Sequence, residues 1–128
     1  MSVSVEISYG ELIDKITILE IKARHLGDPA RRRLVSAELA QLEAHLREAF
    51  PESALLNALK QELGAVNERL WDIENRIRAK ERSRTFDREF IELARSVYLH
   101  NDLRASIKRR INDEFGSGIV EHKDHEGQ

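Results

Sequence analysis

The sequence predicts an all-α protein, an antiparallel helical bundle of four helices in which the third and fourth helices form a long hairpin. The main observation is an unbroken apolar series with alternating spacings of three and four, the period of a helix that packs along one seam. Composition agrees, because 34% of the 128 residues are charged and only six Gly and two Pro occur, a balance typical of long helices. The series consists of Leu56, Leu59, Leu63, Val66, Leu70, Ile73 and Ile77.

The N-terminal residues predict a short strand that leads into the first helix. Apolar and polar residues alternate over 3–7, a strand pattern, and residues 119–120 form a second apolar pair with which this strand could associate. Ser8 with Glu11 three residues later predicts a capping box at the helix start. The first helix is apolar on two sides, so we expect it to be covered on two sides.

Turn residues divide the remainder of the chain. Breaks fall at residues 27–29, where Gly, Asp and Pro follow one another, at Pro51, at 83–87 and at Gly116. Gly after a helix and Pro at the start of the next are typical of helix ends. The predicted helices are about 9–26, 29–49, 52–82 and 86–115, within a single domain over residues 1–123, and residues 124–128 are expected to form a loose tail.

Composition also limits the class of function. The formal net charge is −2 and there is no Cys, so nothing global favours nucleic acid as a partner, and disulfides and thiolate metal sites are excluded. Residues 1–7 lack the pattern of a signal peptide, and no apolar stretch approaches the roughly 20 residues of a membrane span. We therefore expect a cytoplasmic protein with no membrane partner, no metal and no cofactor.

The unequal helix lengths predict self-association. At 1.5 Å per residue, the third and fourth helices would be about 45 Å long, whereas the first two are shorter. The longer pair should then extend beyond the shorter pair and leave an apolar seam uncovered. A homodimer or a higher homo-oligomer is the simplest cover for such a seam, and another protein partner is the alternative.

The apolar face of the fourth helix becomes polar half-way along. Phe90 and Val97 share a face that continues, at 100° per residue, with Asn101, Arg104 and Lys108. One interpretation is that the helix leaves the bundle there and the three polar residues meet solvent. The other is a polar pocket, or a buried polar layer that fixes how the helices pair.

Two further positions break the apolar pattern. The only Trp of the chain, Trp71, lies beside the seam of the third helix with Asn67 and Glu74, where it would pack on a neighbouring helix or line a ligand site. Glu20 lies on an apolar face of the first helix and needs a partner if it is buried. Arg24, four residues later, predicts an ordinary salt bridge, and a buried acid or base is the alternative.

Basic residues are concentrated at the end of the third helix. Arg76, Arg78, Lys80, Arg82 and Arg84 lie within nine residues of one another, and cations at a helix C-terminus are favoured by the helix dipole. Nucleic-acid binding is the alternative, but acidic residues follow at once and the aromatic residues of a base-stacking surface are missing. A solvated helix end is therefore the preferred interpretation.

Three stretches, 8–22, 67–74 and 90–104, resemble a family of short, all-helical bacterial proteins of unknown function. The resemblance implies no activity, but polar residues inside the matching stretches become candidates for a site. These are Asp14, Lys15, Thr17, Glu20 and Lys22 in the first stretch and Tyr98, Asn101 and Arg104 in the third.

A second resemblance, to the all-helical chorismate mutases, comes from residues 12–16 and the Asp28-Pro29 turn. It implies cationic clamps on two carboxylates inside a helical bundle, and the residues available for those roles are Glu20, Arg24, Arg104 and Lys108.

We therefore expect a non-enzymatic helical interaction or accessory protein that acts as a homo-oligomer or partner subunit. The alternative is a small-molecule or enzymatic site for a carboxylate or sugar-related ligand in a polar pocket between helices. The candidate pocket residues are Glu20, Trp71, Glu74, Tyr98, Asn101 and Arg104.

Overall fold

Four α-helices make up most of residues 1–116, the part of the chain that the computed structural model describes. The all-α fold is confirmed, and each helix begins and ends within two residues of its predicted bounds. The second predicted strand and the predicted tail lie outside the described residues. The helices are α1 Tyr9–His25, α2 Pro29–Ala49, α3 Ala54–Arg82 and α4 Arg88–Phe115.

Each helix begins at a side chain that accepts a hydrogen bond from a backbone N–H of its first turn, which satisfies one of the unpaired donors there. The preceding residues 1–8 form neither helix nor strand, so the strand predicted at 3–7 is absent from the described residues. Its apolar side chains are exposed, and a lone strand has no partner for its backbone groups. The capping residues are Ser8, Asp28, Ser53 and Asp87.

Helix α1 lies at the centre of the bundle and packs against the three other helices. It is antiparallel to α2 and α4, and α3 is antiparallel to α4, so α1 and α3 run in the same direction. As predicted, α1 is buried on both sides, with Ile16 and Leu19 on one side and Ile21 on the other. Helix α2 packs on α1 and contributes no buried residue, so the core is formed by α1, α3 and α4.

A buried apolar cluster lies near the end of the bundle where α1 begins and α4 ends. Apolar side chains of α1, α3 and α4 meet there, and aromatic rings close the end: Phe50 stacks on Tyr9 at a centroid distance of 5.4 Å and meets Phe115 edge-on at 4.9 Å. The buried cluster is Ile13, Leu56, Leu59, Leu63, Ile107 and Ile111.

The far end of the α3/α4 hairpin extends beyond the core. No residue from 74 to 92 is buried, and the first buried residue of α4 is Leu93. Ion pairs join the two helices there, with Lys80 Nζ 2.9 Å from both Asp87 and Glu89. The basic end of α3 is therefore partly neutralised by acids of the next helix, as the solvated-end interpretation requires.

Candidate functional site

A buried carboxylate lies where α1, α3 and α4 meet. Asp14 of α1 is only 1% exposed. Its Oδ1 accepts hydrogen bonds of 2.9 Å from Asn67 Nδ2 and from Arg104 Nε, and its Oδ2 accepts one of 2.6 Å from Arg104 Nη2. Since an unpaired buried charge is costly, this two-point contact with a guanidinium is what allows an ionised Asp14 inside the bundle.

Thr17 and Asn67 complete this polar centre, and both are buried. The Thr17 hydroxyl donates to the backbone carbonyl of Asp14 at 2.8 Å and accepts from Asn67 Nδ2 at 2.9 Å. Both N–H groups of the Asn67 amide are thus used by α1. One residue from each core helix, together with Thr17, forms a connected hydrogen-bond network that fixes the three helices relative to one another. We call Asp14, Thr17, Asn67 and Arg104 the polar centre.

Arg104 is the one member of the polar centre that also reaches the surface, with its side chain 30% exposed. Its hydrogen bonds to Asp14 raise the pKa of the guanidinium, and burial opposes that shift. Its Nη1 lies 3.4 Å from Asn101 Oδ1, a long contact. Arg104 is therefore cationic at every physiological pH, and its charge is matched by Asp14.

Two more contacts continue the α1–α4 interface toward the bundle end. Lys108 Nζ lies 3.0 Å from Glu11 Oε2, and the backbone N–H of Gly10 donates to Asn112 Oδ1 at 2.8 Å. At Gly10 a Cβ would lie 2.5 Å from the backbone oxygen of Lys108, so only Gly permits this close approach. Arg104 and Lys108 thus belong to a polar layer between helices, one of the two predicted alternatives for the polar face of α4.

A hollow of about 210 Å³ opens beside the polar centre. Its polar lining comes from Asn67, Glu74, Asn101 and Arg104. Trp71 forms one wall, and its indole stacks on His25 at a centroid distance of 5.2 Å, so it packs on a neighbouring helix as predicted. The apolar remainder of the lining consists of Ile18, Ile21 and Leu70.

The hollow brings together four of the six predicted pocket residues, namely Trp71, Glu74, Asn101 and Arg104. Tyr98 is not in its lining and is half exposed on α4. Glu20 faces a different cleft of about 490 Å³ between α1 and α3.

Glu20 forms a salt bridge, but its predicted partner was wrong. Its Oε2 lies 3.0 Å from Lys60 Nζ, because α3 lies closer to this face than the next turn of α1. Arg24 instead pairs with Glu68, which also accepts a hydrogen bond from His25 at 2.9 Å. The hydrogen bond from His25 is the largest cause that lowers the pKa of Glu68, with Arg24 contributing in the same direction.

Asp14, Thr17 and Asn67 were absent from the six predicted pocket residues. A pattern that could have identified the α1 pair is the series Gly10, Asp14, Thr17 and Ile21, whose spacings of four, three and four match a buried helix face. It was obscured because only Ile21 is apolar. The resemblance to known sequences placed Asp14 and Thr17 among wider candidates, along with Lys15 and Lys22, which are exposed.

The described residues provide neither a cluster of metal ligands nor a membrane-spanning helix. Among residues 1–116 there is no group of three or more His, Asp or Glu side chains placed to hold a metal ion. No described helix is long and apolar enough to cross a membrane.

The chain is thus a small all-helical bundle with an ion pair inside its three-helix core. The chain belongs to DUF6165, a family of unknown function, whose family model matches residues 3–127. This confirms the first predicted resemblance, whereas the likeness to chorismate mutases is not supported. Arg24, Arg104 and Lys108, the clamps which that likeness implied, each pair with an acid of this chain. No curated protein and no solved structure matches.

Proposed function

We propose that the protein is a non-enzymatic helical interaction protein of the bacterial cytoplasm that acts as a homodimer. The supporting observation is that α4 carries large exposed apolar residues outside its packed face. Ile91 and Tyr98 lie opposite the buried Leu93, and Leu99 and Leu103 lie on one flank; all four are at least 50% exposed. Large apolar side chains grouped on an exposed surface are typical of an interaction site, so this part of α4 favours a partner.

Charge complementarity favours a second copy as that partner. Arg95 and Asp102 are seven residues apart on the same side of α4 as Ile91 and Tyr98, and neither forms an ion pair within residues 1–116. If two copies pair antiparallel about a two-fold axis between Tyr98 and Leu99, Arg95 of each copy faces Asp102 of the other. A two-fold interface uses the same patch twice, so both charges are matched by one arrangement.

The test is the molar mass in solution, by size-exclusion chromatography with light scattering over a concentration series. We expect a dimer of about twice 14.8 kDa. Asp102→Arg should weaken it through repulsion from Arg95, and the double variant Arg95→Asp with Asp102→Arg should restore it. Leu34→Glu on α2, a site that is 73% exposed, is the matched surface control and should leave the dimer intact.

A monomer at all concentrations would overturn the homodimer, and a dimer that the Asp102→Arg substitution leaves unchanged would overturn its placement on α4. Tyr98→Glu offers a second measurement at the proposed axis. It should shift the chain to monomer without loss of helical circular dichroism, because Tyr98 is not part of the core.

A second function, binding of a small molecule, is supported by the hollow beside the polar centre. An aromatic wall, an apolar floor and a few convergent polar groups are the usual composition of ligand sites. Because Trp71 is the only Trp, its fluorescence reports on occupancy directly. A screen of small polar metabolites in which no compound changes that fluorescence, or protects the protein against heat, would contradict this function.

A further inference from the structure

The polar atoms around the hollow divide into those that are already bonded and those that are not. Asn67 Nδ2 donates to Asp14 and Thr17, and Arg104 donates to Asp14 through Nε and Nη2. Both N–H groups of the Asn67 amide and two N–H groups of Arg104 are therefore already used inside the polar centre.

Two acceptors of the lining, Asn67 Oδ1 and the Glu74 carboxylate, remain without a donor among residues 1–116. Asn67 is 95% buried, since its exposure is 5%, and its Oδ1 accepts no hydrogen bond from residues 1–116. With Nδ2 bound to α1, Oδ1 is the polar atom of Asn67 left for the hollow. A buried acceptor without a donor costs free energy, so an occupant with an N–H group is favoured over one without.

Charge points to the same kind of occupant. Asp14 matches the charge of Arg104, whereas the Glu74 carboxylate forms no ion pair within the described residues. Glu74 lies close enough to Arg104 to contribute to its raised pKa, which places the carboxylate beside the polar centre. Asp14 and Glu74 together carry two negative charges, and Arg104 carries one positive charge. One negative charge is thus unmatched, and an occupant with one positive charge would neutralise it.

Size and apolar surface define the rest of the occupant. The hollow, at about 210 Å³, is smaller than the roughly 300 Å³ at which sites for drug-sized ligands begin. Ile18, Leu70 and Trp71 supply apolar walls, and an indole face also attracts cations. A short aliphatic chain that ends in an ammonium group satisfies these conditions.

We propose that the hollow binds a short aliphatic amine in its protonated form. The ammonium group donates to the Glu74 carboxylate and to Asn67 Oδ1, and the carbon chain lies against Leu70 and Trp71. This inference rests on the second proposed function, ligand binding in the hollow, and adds the chemical class of the ligand.

The experiment compares three compounds of nearly equal shape and different charge: butylamine, butan-1-ol and butyrate. Each is titrated against Trp71 fluorescence at constant ionic strength and at about pH 8, where an alkylamine with a pKa near that of Lys, about 10.4, is protonated. We expect saturable binding of butylamine, at least about tenfold tighter than that of the alcohol, and no binding of butyrate.

Two variants test whether the Glu74 carboxylate causes the preference for the amine over the alcohol. Glu74→Gln should remove the preference for the amine over the alcohol and leave the helical circular dichroism unchanged, because Glu74 is exposed and unpaired within the described chain. Asp72→Asn is the matched control: it removes the same charge from the same helix, but its side chain is outside the lining, so the preference should remain.

The possible outcomes distinguish failure of the amine inference from failure of the second proposed function, ligand binding in the hollow. If the alcohol or butyrate binds as tightly as butylamine, or if Glu74→Gln keeps the preference, the amine inference is wrong while a ligand site in the hollow stands. If none of the three compounds binds, the amine inference is also wrong. The second proposed function is contradicted only when the wider metabolite screen is negative as well.

Discussion

At the scale of single residues, the least typical feature is an ionised side chain inside a small apolar core. Asp14 is almost fully buried, and its two oxygens receive three hydrogen bonds from Asn67 and Arg104. A buried ion pair contributes little net stability compared with apolar residues of the same shape, but removal of one partner leaves the other uncompensated. The pair therefore determines which helix surfaces fit together more than how strongly they hold.

Removal of the charge at Asp14 gives the first prediction. We expect Asp14→Asn to lower the free energy of unfolding by about 3 kcal/mol, because Arg104 loses its counter-charge in a half-buried position. Urea denaturation monitored by circular dichroism measures this. Asp14→Leu combined with Arg104→Met should recover much of the loss, and Glu92→Gln, at an exposed site, should change stability little. A single variant as stable as the wild type would show that the pair has no structural role.

The close contact at Gly10 gives the second prediction. Gly10→Ala places a Cβ 2.5 Å from a backbone oxygen of α4, so α1 and α4 must move apart, and we expect a loss of about 1–3 kcal/mol. Gly27→Ala is the matched control, since a Cβ there has no neighbour within 4 Å, and it should stay within about 0.5 kcal/mol of the wild type. Equal urea midpoints for the two variants would contradict the close packing.

At the scale of elements, apolar pattern and polar contacts have different roles. The apolar series of α3, Leu56 to Ile77, supplies the surface that is buried, and five of its seven residues are buried as expected. Polar contacts then set the alignment of α1 against α4, because Asp14–Arg104 and Glu11–Lys108 form only in one antiparallel register. Beyond the core, the α3/α4 hairpin is joined by ion pairs instead of buried apolar residues.

Acid should weaken that distal part of the hairpin selectively. The hydrogen bond from Lys80 is the largest cause that lowers the pKa of both Asp87 and Glu89, and their acceptance raises the pKa of Lys80. A carboxyl group whose pKa is lowered by folding stabilises the folded state above its ordinary pKa, and this contribution is lost as the pH falls through the lowered value.

We therefore expect Lys80→Met to lower the melting temperature at pH 6 to 9, and the difference from the wild type to shrink as the pH approaches about 3. Thermal melts followed by circular dichroism across that range provide the measurement. Arg88→Met is the control, because Arg88 lies 3.8 Å from Glu92 in an exposed pair and should show almost no difference at any pH. A difference for Lys80→Met that is independent of pH would exclude these ion pairs as its cause.

At the scale of the whole molecule, the four helices are not equivalent. Helices α1, α3 and α4 share the buried cluster and the polar centre, whereas α2 has no buried residue, packs mainly on α1 and adds the partly buried Leu46 to the edge of the cluster. Local stability follows buried apolar contact, so regions without it open with the smallest free energy. The molecule is best described as a three-helix core with a fourth helix attached to one side.

Hydrogen exchange should show that α2 is locally less stable than the core helices. We expect the amides of α2 to exchange faster than those of α1 and of residues 56–73 of α3, and the order should persist at higher protein concentration, because the proposed dimer surface is on α4. Mass spectrometry of peptic fragments resolves the four helices. Protection of α2 equal to that of α1 would mean that α2 is covered by something other than residues 1–116.

Much of the fold was predictable because the signals for helix formation lie within a few neighbouring residues of the sequence. The cap at Ser8, the breaks and the apolar period predicted the four helices and their bounds, and the change from apolar to polar residues on one face of α4 indicated Arg104. The partner of Glu20 was predicted wrongly, since Arg24 is near in sequence while Lys60 is near only after folding. Asp14, the centre of the site, was missed because the helix face that it shares with Gly10, Thr17 and Ile21 contains only one apolar residue.

By itself, the sequence determined the helices, because capping, turn residues and a period near 3.6 act over a few neighbouring positions. The tertiary structure alone decided that α1 is central, that α2 is peripheral, and that Asp14, Asn67 and Arg104 meet. These residues are separated by 53 and 90 positions in the chain. Contacts of that kind depend on how whole helix surfaces pack, and a local pattern contains no information about the partner surface.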